Sequence, residues 1–140
     1  MRTGMIQSQK EVRVAEKETE EGRKTILIVS PDPNFCLSLS MLFGDRYRVL
    51  TASALSVLQE GVAERGVDLI LVDEGPSRKM VDRLDAFRHL NPTLPIIILY
   101  VYSPKDVDLD SELRRTADSV FYKPFEIGTV SRRVDDLLSV

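Results

Sequence analysis

The sequence contains few of the residues from which small proteins build disulfides, metal sites and catalytic centres. Its 140 residues include one cysteine, one histidine and no tryptophan. A single cysteine, Cys36, excludes a disulfide within this sequence and a zinc site built on several cysteines. Because Cys36 lies in the apolar stretch "NFCLSLSMLF", we interpret it as a small buried hydrophobic residue rather than a reactive thiol.

Long apolar runs and an excess of basic charge are also missing. The longest apolar run is much shorter than the roughly 20 residues that cross a membrane, and the first residues have no apolar signal core. The net charge is −3, so no overall basic field attracts nucleic acid or an anionic membrane surface. We therefore expect a cytoplasmic protein without a nucleic-acid or membrane partner.

Glycine-rich loops that bind phosphate groups are absent as well. After the apolar run "ILIV" at residues 26–29, the chain continues as "SPDP" and not as G-x-G-x-x-G or G-x-x-x-x-G-K-[ST]. No arrangement of serine, histidine and aspartate typical of a hydrolase is visible either. These absences argue against a small α/β nucleotide-binding or enzymatic domain, which stays open as an alternative.

The sequence does have the composition of one globular domain, preceded by a charged segment. Its hydrophobic fraction of 43% is ordinary for a folded protein. Residues 1–24 are poor in apolar residues, and pairs such as Arg13/Glu16 have helical spacing. We predict a charged N-terminal tail over residues 1–24, flexible or a frayed helix, and one domain over residues 25–140.

Apolar strands alternate with helical patterns throughout this domain. Asp32 or Ser30 is placed to cap the first helix, and the second helix carries Val62 and ends at Gly66. The fourth helix, in "KDVDLDSELRRT", has so few apolar residues that we expect loose packing. This alternation predicts a parallel sheet covered by helices on both faces. The predicted strands are residues 25–29, 48–52, 68–73, 95–102 and 119–122.

Three landmarks lie where the strands of such a sheet end. Ser30 follows the first strand, Asp73 closes the third in "DLILVD", and the pair Lys123-Pro124 follows the fifth in "FYKPF". At these spacings the sequence resembles the response-regulator receiver domain of two-component signalling. The resemblance covers residues 24–140 and implies a flavodoxin-like, doubly wound, five-stranded parallel sheet of order 2-1-3-4-5.

The resemblance also implies roles for particular positions. In the family, the aspartate after the third strand accepts a phosphoryl group, and two acids after the first strand help to hold Mg²⁺. A serine or threonine after the fourth strand and a lysine after the fifth contact the phosphoryl oxygens. Asp73 matches the phosphoacceptor and Lys123 matches the lysine.

The metal positions depart from the family. Ser30 and Pro31 stand where the two acids are expected, and Asp32 is one residue further on. The charges of Asp73 and Lys123 nearly cancel, whereas the three acids and one lysine of the family's usual site sum to about −2. Each close pair of unit charges is worth roughly 4 kcal/mol at an effective dielectric constant of about 20. Losing two acids therefore removes several powers of ten in Mg²⁺ affinity. We predict no metal and expect a direct ion pair between Asp73 and Lys123.

The phosphoryl-binding and switch positions depart too. Tyr100 stands at the serine or threonine position, with Val101 in place of the small residue that usually follows. The tyrosine hydroxyl lies too far out to replace a threonine hydroxyl, so the ring is expected to fill the pocket or to point to the surface near the fourth helix. Val120 stands at the aromatic switch position, and Phe121 and Tyr122 are expected to face differently.

These departures favour a degenerate receiver that acts as a phosphorylation-independent protein-interaction module, without a cofactor and not as an enzyme. Its expected partner is a signalling protein, an output domain or a second copy, bound through the fourth helix, fifth strand and fifth helix. The alternative is a receiver that accepts a phosphoryl group on Asp73, with an atypical Mg²⁺ site formed by Asp73, Asp32 and Gly75, or with Glu74 replacing a missing acid.

Overall fold

The computed structural model describes residues 13–14, 22–59 and 65–139. A six-stranded sheet forms the centre, in the order β1-β3-β2-β4-β5-β6. Strands β2 to β6 are parallel to one another, and they have the predicted second-first-third-fourth-fifth arrangement along the chain. The strands are β1 (Arg13–Val14), β2 (Thr25–Val29), β3 (Arg48–Ala52), β4 (Leu69–Asp73), β5 (Ile96–Tyr100) and β6 (Ser119–Tyr122).

The additional strand, β1, lies in the segment that was predicted as a tail. Arg13 and Val14 pair antiparallel with Thr51 and Leu50 at the edge of the sheet. At these two residues the structure has a strand where we expected a flexible segment or a frayed helix. The rest of the predicted tail, apart from residues 22–24, lies outside the described residues, so its conformation stays a prediction.

In the described part of the chain, four α-helices cover the sheet, two on each face. Helices α2 and α3 pack on one apolar cluster of the sheet through residues such as Leu84 and Leu113, while α1 and α4 pack on the other through residues such as Leu39 and Val134. This confirms the predicted three-layer architecture. The helices are α1 (Pro33–Phe43), α2 (Arg78–Leu90), α3 (Val107–Thr116) and α4 (Ile127–Leu138).

Within the described residues, the predicted second helix contains a short 3-10 segment, Leu55–Gln59. Leu55 and Leu58 of this segment are buried, whereas Val62 lies outside the described residues. Gly66 has a φ of +80°, a left-handed conformation that suits glycine because it has no Cβ atom. A second 3-10 segment, Pro104–Asp106, precedes α3.

Two strands are shorter in the structure than predicted, and the shortening of one of them bears on the site. Strand β5 stops at Tyr100, so Val101 and Tyr102 are outside it, with 64% and 40% of their surface exposed. Strand β4 begins at Leu69 instead of at residue 68. None of the helices in the described part of the chain has the length and apolar character needed to cross a membrane.

Candidate functional site

The carboxyl edge of the parallel sheet brings the three landmark residues together. Asp73 is the last residue of β4, Ser30 directly follows β2, and Lys123 directly follows β6. Because the strands are parallel and β4 lies beside β2 in the sheet, their carboxyl ends open on the same edge. The expected contact between Asp73 and Lys123 is present.

Asp73 is the centre of this site, and both of its carboxylate oxygens are engaged by the chain. Lys123 Nζ lies 2.5 Å from Asp73 Oδ1, and the Ser30 hydroxyl donates a hydrogen bond of 2.7 Å to Asp73 Oδ2. The Asp73 side chain is 8% exposed and that of Lys123 is 35% exposed. The pair is therefore shielded on the aspartate side and open to solvent on the lysine side.

Ser30 connects Asp73 to the start of helix α1. Its hydroxyl oxygen accepts a hydrogen bond of 3.0 Å from the backbone N–H of Asp32. The carboxylate of Asp32 turns toward the helix, where it accepts from the N–H groups of Asn34 and Phe35 at 2.9 and 3.4 Å. Of the two proposed caps, Asp32 is thus the N-cap of α1, and Ser30 supports the loop before it.

These donors do not fit Mg²⁺, which prefers several free carboxylate and water oxygens in octahedral geometry. Asp73 is already bound by Ser30 and Lys123, Asp32 caps a helix, and Pro31 contributes no side-chain oxygen. Throughout the described part of the chain, no group of three or more His, Cys, Asp or Glu side chains could hold a metal ion.

Side chains of helix α1 lie beside the Asp73–Lys123 pair. The ammonium of Lys123 lies 5.2 Å from the centre of the Phe35 ring, within the range of a cation–π contact. Cys36 is buried, and burial followed by the negative charge of Asp73 raises the pKa of its thiol. Burial likewise raises the pKa of Glu74, against the opposing charge of Arg83. Gly75 is exposed in the loop after β4.

Tyr100 is buried and does not point to the surface. It is only 2% exposed and belongs to the apolar cluster under α2 and α3. Its hydroxyl donates a short hydrogen bond to Asp110 Oδ1 on α3. Burial, and then this hydrogen bond, raise the pKa of Tyr100 well above its usual value. The expected surface orientation is therefore wrong, since the ring lies against the sheet beneath α3. The expectation that the ring fills the phosphoryl pocket stays a prediction.

Tyr122 faces the same side of the sheet as Val120, which corrects our expectation that it would face differently. Val120 and Tyr122 both pack on the cluster that contains Tyr100, while Phe121 packs on the opposite cluster. Residues two apart in a strand share a face, so the sequence contained this information. The Tyr122 ring meets that of Tyr100 edge-on, with centroids 5.7 Å apart.

The sequence reasoning missed two members of this arrangement, Asp110 and Arg114. Asp110 is only 7% exposed, although it lies in a charged helix that we expected to pack loosely. Tyr122 donates a hydrogen bond of 2.7 Å to its Oδ1, and Arg114 Nε lies 3.3 Å from its Oδ2. The available signal was the helical i,i+4 spacing of Asp110 and Arg114, which by itself does not distinguish a buried pair from an exposed one.

Comparison with known proteins identifies this arrangement. No protein-family model matches the chain. The transcriptional regulatory protein ZraR of Klebsiella oxytoca is 28% identical over 116 residues, 81% of this chain and 26% of that protein. The response regulator TrrA of Thermotoga maritima, solved in complex with Mg²⁺ and BeF, is 27% identical with a TM-score of 0.67, covering 82% of this chain and 99% of the other. The chain has the fold of a response-regulator receiver domain and is similar in sequence to these two regulators.

Further solved structures share the receiver fold. A two-component response regulator from Clostridium difficile has a TM-score of 0.69 at 19% identity, covering 83% of this chain and 96% of the other. A putative pilus assembly-related protein from Burkholderia pseudomallei has a TM-score of 0.69 at 20% identity, covering 87% and 94%. At these identities the likeness is one of fold alone. The receiver spans 26% of the length of ZraR.

Proposed function

We propose that this receiver is degenerate and acts as a phosphorylation-independent protein-interaction module, not as an enzyme, in bacterial-type signal transduction. The observation that carries the proposal is the engagement of both carboxylate oxygens of Asp73 by Lys123 and Ser30. The lysine that would contact a phosphoryl group in the family is already bound to Asp73, and the metal positions are a hydroxyl and a proline. The resting pair thus resembles a switch that is permanently set.

The surface that we propose for the partner consists of α3, β6 and α4. Near the start of α3, the apolar side chains of Tyr102 and Val107 are 40% and 52% exposed. Arg114, which is half exposed, lies over the Tyr122 ring at 5.1 Å. A surface that mixes exposed apolar and charged side chains suits a transient protein interface. The proposed partner is a signalling protein, an output domain or a second copy of this chain.

The interface proposal is tested by substitution on this surface. Tyr102→Ala and Val107→Ala are expected to weaken the affinity for any partner, including self-association measured by sedimentation equilibrium. Met41→Ala serves as the control, because Met41 is a 72% exposed apolar residue on α1, away from the proposed surface. Equal affinities for all three variants and the wild type would rule out this face.

Phosphorylation independence is tested by amide NMR spectra of the chain, titrated first with millimolar Mg²⁺ and then with beryllium and fluoride, which together mimic a phosphoryl group. We expect the resonances of Asp73, Gly75 and Lys123 to stay unchanged in both steps. The variant Asp73→Asn provides the baseline, since it lacks the carboxylate to which the mimic would bind.

The alternative function, a receiver phosphorylated on Asp73 with an atypical Mg²⁺ site, predicts the opposite spectra. The observation in its favour is that Asp73 closes β4 at the carboxyl edge of the sheet, where the family resemblance places the phosphoacceptor. Shifts that saturate with Mg²⁺ and beryllofluoride in the wild type, and that are absent in Asp73→Asn, would establish this alternative. We also propose a cytoplasmic location, where a signalling partner would be available.

A further inference from the structure

We infer that Tyr100, Tyr122, Asp110 and Arg114 form a polar lock that holds helix α3 on the sheet in one arrangement. The inference rests on the proposed function, because it supplies the physical reason why the partner surface would keep its shape without a phosphoryl group. The lock joins three elements: Tyr100 ends β5, Tyr122 ends β6, and Asp110 and Arg114 lie one turn apart on α3.

The geometry of the lock converges on one carboxylate. The hydroxyls of Tyr100 and Tyr122 both donate to Asp110 Oδ1, and Arg114 Nε approaches Oδ2 at 3.3 Å. Arg114 also donates from its terminal nitrogen to the Tyr122 hydroxyl at 2.6 Å. Each of the three partners of Asp110 thus satisfies part of the carboxylate, and two of them come from the sheet.

Burial makes this lock costly to open. Tyr100 and Asp110 are 2% and 7% exposed, and Tyr100 packs in the same apolar cluster as the fully buried Leu113. A buried carboxylate or hydroxyl that loses its partner keeps its desolvation penalty without a compensating hydrogen bond. Helix α3 cannot therefore move away from β5 and β6 without leaving several buried polar groups unsatisfied.

Helix α3 depends on such contacts because it has few apolar anchors. Leu113 is its only fully buried apolar residue among the described residues, and Leu109 is partly buried. Helix α3 also contacts α2, where Arg78 makes two hydrogen bonds to Glu112 of α3, at 2.6 and 3.0 Å. This pair is exposed, so it contributes little to stability. The buried contacts to Asp110 are thus the main polar attachment of α3 to the sheet.

The test is native-state hydrogen exchange of the α3 amides in Tyr100→Phe. We expect amide exchange over α3 to accelerate about tenfold or more relative to the wild type, because the variant loses one hydrogen bond to a charged group. The amides of α2 should be less affected. Tyr47→Phe is the matched control, because Tyr47 donates to Asp135 of α4 at 2.5 Å. It removes the same type of hydrogen bond on the other face and should leave α3 unchanged.

Two results would overturn the lock: an unchanged α3 in Tyr100→Phe, or the same acceleration in Tyr47→Phe. If Tyr100→Phe fails to fold, Arg114→Gln takes its place, since Arg114 is half exposed and contacts both Asp110 and Tyr122. Unchanged α3 exchange in Arg114→Gln also overturns the lock. The beryllofluoride titration of the wild type separates this failure from failure of the proposed function. A response to beryllofluoride contradicts phosphorylation independence, whereas a silent titration with unchanged exchange contradicts the lock alone.

Discussion

Ser30 has a stabilising role at the position where an acid is expected from the family resemblance. Its buried hydroxyl donates to Asp73 and accepts from the N–H of Asp32. Ser30→Ala removes the hydrogen bonds of Asp73 Oδ2 and of the Asp32 N–H, so we expect the free energy of unfolding to fall by about 1–3 kcal/mol. Urea denaturation measures this loss. Ser38→Ala, at an exposed position of α1, should change stability by less than about 0.5 kcal/mol.

The sign of the stability change in Asp73→Asn distinguishes this site from an acidic cluster. Among several close carboxylates, neutralising one relieves repulsion and raises stability. Here Asp73 contacts Lys123 and Ser30, so we expect Asp73→Asn to lower the free energy of unfolding by about 1–2 kcal/mol. Urea denaturation with an unchanged m-value measures the loss. A gain in stability would show that another acid lies close to Asp73.

Asp110 gives the stability a specific dependence on pH. Burial raises the pKa of this carboxyl, but hydrogen bonds from Tyr100 and Tyr122 and the charge of Arg114 outweigh burial and lower the pKa below its usual value. A carboxyl with a lowered pKa in the folded state stabilises the protein above its unfolded pKa of about 4, and this contribution is lost as the pH falls through the folded pKa.

We therefore expect the difference in free energy of unfolding between the wild type and Asp110→Asn to be largest near neutral pH and to shrink below about pH 4. Urea denaturation at a series of pH values measures this difference. Asp108→Asn, at an exposed position of the same helix, should show no such trend. A difference that stays constant from neutral to acid pH would contradict the coupling of Asp110 to its partners.

At the scale of elements, the sequence predicts the strands better than the helices. Apolar runs such as "TILIV" and "IIILY" are strands buried on both faces, and such runs differ clearly from their surroundings. The packing of helix α3 was predicted wrongly because its attachment to β5 and β6 depends on hydroxyl and carboxylate contacts. A pattern of apolar residues cannot indicate such contacts. The antiparallel edge strand β1 was missed for a related reason, since two residues carry no periodicity.

Arg88 connects the elements on one side of the molecule. Its guanidinium donates to three carbonyls of residues 91–94, to the carbonyl of Thr116 and to the carboxylate of Asp118. A lysine cannot supply this fork of donors, so we expect Arg88→Lys to lower the free energy of unfolding by about 2 kcal/mol or more. Chemical denaturation measures the loss. The exposed Arg115 provides the control, and equal effects of Arg115→Lys and Arg88→Lys would contradict this role.

At the scale of the whole molecule, the fold and the phosphoryl chemistry depend on different residues. The sheet and its helices are held by two large apolar clusters, whereas the site depends on a few side chains after β2, β4, β5 and β6. The acids can therefore be exchanged without loss of the architecture. Under the proposed function, this separation explains how the chain keeps the receiver fold while Ser30, Pro31 and Tyr100 stand at positions that the family resemblance assigns to phosphorylation.

The same separation predicts that metal binding can be restored. Ser30 Oγ lies 2.7 Å from Asp73 Oδ2, so a carboxylate at position 30 would meet that of Asp73, and Pro31 is exposed. We expect the double variant Ser30→Asp, Pro31→Asp to be destabilised by close like charges in the absence of metal. Millimolar Mg²⁺ should then raise its midpoint of thermal unfolding, because a ligand that binds only the folded state stabilises it. The wild type should show no such rise.

Adding Asp73→Asn to the double variant should abolish the Mg²⁺ effect, which shows that the ion binds at this edge of the sheet. Beryllofluoride should still leave helix α3 unchanged in the double variant, because Tyr100 remains bonded to Asp110. Hydrogen exchange of α3 should respond to beryllofluoride only when Tyr100→Thr is also present. This change removes the hydrogen bond to Asp110 and places a threonine hydroxyl at the position where the family resemblance expects one. A response of α3 in the double variant alone would mean that the acids control the switch and that Tyr100 does not.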